Sequence, residues 1–189
     1  MLLQYGHCEI EWQGETYRLA PTFANIAKIG SPVEIIDDFK SFISTSSIMQ
    51  KFCIALTVLN SCSDKSIPET LTGRYQYSER KNRFLYVQPS HGLPMVADVI
   101  TLAEHCLIHG ICGKADNSGE GEPLKEFNAY EFMELSRVHL GMSAGEAANM
   151  TMTEFSRMMA AKFPPEKPEG PSDDERNDLL AWLESTEVH

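Results

Sequence analysis

The side chains best equipped for chemistry gather in one short run, His105-Cys106-x-x-His109-x-x-Cys112. Two imidazoles one helical turn apart, followed by a thiol, are donors that zinc accepts. A closed four-ligand site needs a further donor, and no CxxC pair elsewhere supplies it. His7-Cys8 would have to fold back to complete the set. The same residues fit a plain helix end, where imidazoles favour the dipole and Cys106 acts as a small buried hydrophobe. The sequence is therefore read as having no cofactor and no metal, with His105, His109 and Cys112 as weak metal candidates. The carboxylate pairs Asp37-Asp38 and Asp173-Asp174 are no better placed. Adjacent helix residues point about 100° apart and cannot share one substrate. Asp173-Asp174-Glu175 fits the first turn of a helix, where negative charge is favourable. The phosphate-cradling patterns GxxxxGK[ST] and GxGxxG and the GxSxG elbow are all absent from the sequence. These features point to a protein that is not an enzyme.

Charge narrows the partners. Sixteen Lys and Arg stand against 27 Asp and Glu, a formal net charge of −11. That sign opposes accumulation on nucleic acid or anionic membrane, so neither is expected as a partner. The N-terminus shows no basic segment followed by an apolar stretch, and no run is long and apolar enough to span a bilayer. Five cysteines, an odd and widely spread set, read as reduced thiols in a cytoplasm.

The elements that must position these groups follow from periodicity and capping. Cys8 to Trp12 alternates, Gln13-Gly14 can turn, and Thr16 to Leu19 returns, which spells a β-hairpin in need of a helical cover. Thr22 can cap a helix from Phe23 to Ile29 ended by Gly30. Ser31-Pro32-Val33-Glu34 combines a capping box with Pro at the first helical position. The helix after it should run to about Ile43 with Val33, Ile36, Phe39, Lys40 and Ile43 in register, and a further helix should carry Phe52, Ala55, Leu56 and Leu59. Residues 61–94 admit either a second hairpin, pairing Tyr75 and Tyr77 with Phe84 to Val87, or a loop. Pro94 opens a helix with Val96, Val99, Ile100, Ala103, Leu107 and Ile108 on one stripe, and Gly110 is its expected stop.

The polar, Gly-rich segment 113–126 reads as a linker after an α+β domain at 1–112. Capping boxes at Asn128, Ser143, Thr151 and Ser172 then announce short helices. They define a helical module at 127–163, a Pro-rich spacer at 164–171 and an amphipathic helix at 172–189. The fold class is α+β, mainly α: an N-terminal β-hairpin packed on a small helical bundle, followed by a short C-terminal helical module. Three short helices have little interior, so Tyr130, Phe132, Met133, Phe155, Met158 and Met159 are the expected partner-binding residues. Trp182, beside Leu179, Leu180 and Leu183, is a candidate anchor on the last helix.

Two stretches carry a family resemblance. Leu140-Gly141-Met142-Ser143 followed by Met150-Thr151-Met152-Thr153-Glu154-Phe155, and Gly14-Glu15-Thr16-Tyr17 through Pro21-Thr22-Phe23, resemble the tail assembly chaperones of long-tailed (siphovirus-type) bacteriophages. The resemblance implies a non-catalytic adapter in the bacterial host cytoplasm. It would bind the tape measure protein, recruit tail tube subunits and be absent from the mature virion. Self-association is admitted as a further contact of the chain, apart from the resemblance. The alternatives are a minor structural tail or head-completion protein retained in the virion, and a small metal-dependent regulator or enzyme.

Overall fold

Alternation and turn chemistry produce the N-terminal hairpin as expected. The computed structural model describes residues 4–89, 93, 95–113 and 125–164. In it β1 (Cys8–Trp12) and β2 (Glu15–Leu19) pair antiparallel, with Cys8 opposite Leu19 and Trp12 opposite Glu15. Gln13 and Gly14 both take positive φ, the geometry a two-residue hairpin turn demands. Tyr17 and Leu19 are buried on the covered face.

Capping sets the helices that do the covering. Thr22 accepts the Asn25 N–H and starts α1 (Phe23–Ile26), shorter than the run to Ile29 that Gly30 suggested. Ser31 and Glu34 form the reciprocal capping box of α2 (Pro32–Ser44), and Ser47 caps α3 (Ile48–Cys62). The buried face of α2 is Ile35, Ile36 and Phe42, whereas Val33 and Ile43 are exposed. The expected stripe is thus rotated: Ile35, Phe39 and Phe42 keep helical spacing with less departure than the set anchored on Val33. After the one-turn α4 (Glu69–Thr72), the open choice over 61–94 resolves in part as a hairpin. Strands β3 (Arg74–Ser78) and β4 (Arg83–Val87) pair Tyr75 with Tyr86 and Tyr77 with Phe84.

Helix α5 (Val96–Leu107) does not stop at Gly110. It widens into a π-helical turn over Ile108–Cys112 and ends at Gly113, whose φ is 67°. Gly110 is needed for approach rather than termination, since a Cβ there would lie 2.6 Å from Ile26 Cδ1. Pro94, the expected start of α5, lies outside the described residues.

The C-terminal helices α6 (Ala129–Leu140), α7 (Ala144–Ala148) and α8 (Met152–Lys162) correct the expected division of the chain. Residues up to Met159 form one compact unit, so the boundary placed at 113–126 does not separate two cores. Phe127, Met150 and Phe155 are buried in the same cluster as Phe23, Ile26 and Leu107. The backbone joins in: Phe23 N–H donates to Met150 O at 2.9 Å, Phe127 N–H to Pro32 O at 2.9 Å, and Thr22 bridges Thr151. The physical reason lies in area, because helices of 5 to 12 residues bury too little apolar surface to stand alone. Residues 160–189 form a second unit, of which 160–164 are described. All but the first residue of the expected spacer over 164–171, and the whole of the expected helix over 172–189, lie outside the described residues. The architecture is α+β and mainly α. Among the described residues no helix is long and apolar enough to cross a membrane.

Candidate functional site

The Ser143 capping box fixes the corner on which a candidate surface is built. Ser143 accepts the Glu146 N–H, and the Glu146 carboxylate accepts Ser143 Oγ at 2.7 Å and Ser143 N–H at 2.9 Å. Those bonds hold the Glu146 carboxyl below its usual range. Gly141, at φ 71°, ends α6 and turns the chain into this box. Ser136 is buried on the inner side of α6 and donates to Phe132 O at 2.7 Å, so the opposite side of the helix faces solvent.

On that outer side Tyr130, Glu134 and Val138 follow at i, i+4 and i+8. Tyr130 is 66% exposed and Val138 77% exposed. Glu134, Arg137, Val138 and Met142 line a shallow groove of about 450 Å³ at the α6–α7 corner. An exposed aromatic ring, a branched apolar side chain and a groove with one acid and one base give an apolar anchor with a charged rim, which is interface chemistry.

The structure sorts the sequence-expected partner residues into two groups. Phe132 stacks on Phe23 at 5.6 Å and on Phe127 at 5.2 Å between ring centroids, while Phe155 meets Phe23 and Phe132 edge-on at 6.0 and 5.5 Å. The Phe155 ring is core, and Phe132, Met133 and Met159 are half-buried against it. Tyr130 and Met158 remain exposed. Trp182 lies outside the described residues. Val138 was missed because its signal is an apolar residue on an otherwise charged helical face, which periodicity alone assigns to no partner.

The histidines are engaged within the fold. His105 Nε2 donates to Gly6 O at 3.1 Å, His109 Nδ1 lies 2.8 Å from the Thr153 hydroxyl, and the two rings are 4.5 Å apart. Cys112 is exposed at the π-turn. Among the described residues no three His, Cys, Asp or Glu side chains are arranged to hold a metal ion. A second group of thiols was not foreseen: Cys8, Cys106 and Cys62 form a hydrogen-bonded string between β1, α5 and α3. The Cys106 bond, then burial, pushes the Cys8 thiol far above its ordinary range, so it behaves as a packed thiol rather than a nucleophile.

Residues 41–178 match a family of unknown function, DUF6246. The chain belongs to this family. The match begins inside α2 and takes in α3, the β3–β4 hairpin, α5 and the α6–α8 segment that carries the candidate surface. Among curated proteins and solved structures, none matches the chain.

Proposed function

We propose that the chain is a non-catalytic adapter of viral morphogenesis, a tail assembly chaperone of long-tailed bacteriophages. In this reading it binds the tape measure protein, recruits tail tube subunits in the host cytoplasm and is left out of the mature virion. The observation that supports it most is the exposed α6–α7 surface. Tyr130, Val138 and the Met142 groove lie beside the Leu140-Gly141-x-Ser143 and Met150-Thr151-x-x-Glu154 motifs that carry the family resemblance. Surfaces of this kind, apolar at the centre and charged at the rim, suit protein docking better than catalysis.

Tube recruitment is assigned to this surface and tape measure binding to the N-terminal part of the unit. Deleting residues 124–189 would not test the assignment, because it removes Phe127, Met150 and Phe155 from the core. Substitution on the outside does. Tyr130→Ser with Val138→Glu should keep the far-UV circular dichroism of the wild type, abolish co-purification with tube subunits and retain capture of the tape measure protein. A double variant that captures tube subunits as well as the wild type does would remove the assignment.

A further inference from the structure

The β3–β4 hairpin is built unlike the rest of the molecule. Directly opposite residues share a face, so the pairs Tyr75–Tyr86 and Tyr77–Phe84 make one aromatic ladder. At its base Tyr75 and Tyr86 pack edge-on against Phe52 of α3 at 5.4 and 5.6 Å, and Tyr86 Oη donates to Thr72 O at 2.7 Å. One pair further out the cover ends. Tyr77 is 47% exposed and Phe84 53% exposed, their rings 5.4 Å apart, and the Tyr77 hydroxyl is fixed by Asn82 Oδ1. The tip turn adds Arg80, Lys81 and Arg83, all exposed and with no ion pair among the described residues. Residues 74–87 hold four cations and one carboxylate, a charge of +3, leaving −14 on the rest of a chain whose net charge is −11.

A rigid, cationic, aromatic tip requires an acidic partner with an apolar centre, and the chain itself carries one. On the solvent side of α2, Val33, which is 50% exposed, shares the surface with exposed Glu34, Asp37 and Lys40, with Asp38 half-buried alongside, so the acids outnumber the one base. We propose that the β3–β4 tip of one copy docks on the acidic face of α2 of a second copy, with Tyr77 and Phe84 against Val33 and Arg80, Lys81 and Arg83 facing Glu34, Asp37 and Asp38. Burial and the neighbouring Glu34 and Asp37 charges raise the Asp38 pKa, a like-charge strain that incoming cations relieve. The two surfaces are different patches, so the contact is heterologous and a dimer keeps one free tip and one free acceptor face. Association therefore continues beyond the dimer. The inference stands apart from the adapter reading, since it needs no other phage protein.

Sedimentation velocity of the full chain tests it. At low ionic strength the average mass should rise with concentration past the dimer, and at about 0.5 M salt it should return to the monomer as exposed charges are screened. Arg80→Glu/Lys81→Glu/Arg83→Glu and Glu34→Gln/Asp37→Lys/Asp38→Lys should each associate at least roughly tenfold more weakly alone. Mixed together they should associate again past the dimer, because the cationic tip of one variant matches the acidic face of the other and the reversed tip matches the reversed face. Circular dichroism of each variant checks that it is folded, and the mixture checks the docking geometry directly. A wild type that stays monomeric at low salt, a tip-reversed variant that self-associates like the wild type, or a mixture that remains monomeric overturns the proposal. So does a monomeric wild type that instead binds a fluorescent single-stranded oligonucleotide through the tip.

Discussion

Replacing Phe155 with Ala tests whether the C-terminal helices belong to the N-terminal core. Phe155 is buried, and its ring meets Phe23 and Phe132 at 6.0 and 5.5 Å. Truncating a buried Phe to Ala costs about 3–5 kcal/mol through lost transfer free energy and the cavity left behind. For a unit of this size each kcal/mol lowers the melting midpoint by about 2–4 °C, so the midpoint should fall by about 6–20 °C. The assay is thermal and urea unfolding followed by far-UV circular dichroism and by Trp12 fluorescence, in a Trp182→Phe background so that the emission reports β1 alone. Both probes should shift together, since Phe23 lies just beyond β2 and packs directly on Phe155. A double-mutant cycle with Phe23→Leu should show a coupling of about 0.5–1.5 kcal/mol. Loss of less than about 1 kcal/mol, or a Trp12 transition that ignores the substitution, would refute the single-core argument.

Four further outcomes follow from particular residues. Burial lowers the His7 imidazole pKa, so the unfolded chain takes up that proton first; stability should fall as pH drops below the unfolded value of 6.5 and level once the folded group is protonated, a slope that His7→Asn removes from urea midpoints. On the acid side, hydrogen bonds from Ser31 and Ser143 hold the Glu34 and Glu146 carboxyls low, so the stability they contribute is full above 4.5 and is lost as pH falls through their folded values. Gly73→Ala should destabilise the β3–β4 base by about 1–3 kcal/mol in urea unfolding, because Gly73 has φ 75° and a Cβ there would meet Tyr86 and lie 2.7 Å from Val87 O. A thiol reagent at neutral pH should modify the exposed Cys53 first, Cys112 more slowly because burial raises its thiol pKa, and Cys8, Cys62 and Cys106 only on unfolding; fast modification of Cys8 would contradict the packed-thiol assignment.

What could be read in the sequence was chiefly local. Gln13-Gly14, Thr22, Ser31-Pro32 and Ser143 act through bonds within four residues, and each starts or turns an element as its chemistry dictates. Contacts set by packing were not legible. Gly110 looks like a helix stop, yet it is the place where Ile26 approaches the α5 backbone, and no local signal distinguishes the two. Val33 and Ile43 look like core residues by spacing, yet the neighbours of α2 select the face centred on Ile35 and Phe42. The 113–126 segment has linker composition, but composition says nothing about whether the helices beyond it return to Phe23. At the candidate site the same division holds: Tyr130 and Met158 are exposed, while Phe132 and Phe155, of equal apolarity, are consumed by an aromatic cluster whose other members lie more than a hundred residues away in Phe23 and nearby in Phe127.

The adapter reading is tested most directly by quantitative mass spectrometry of infected-cell lysate and of purified particles from the same culture. A chaperone used in assembly and then released should be abundant in lysate, co-purify there with the tape measure protein and be absent from the particles. A fixed copy number in purified virions would contradict it and point to a structural component instead.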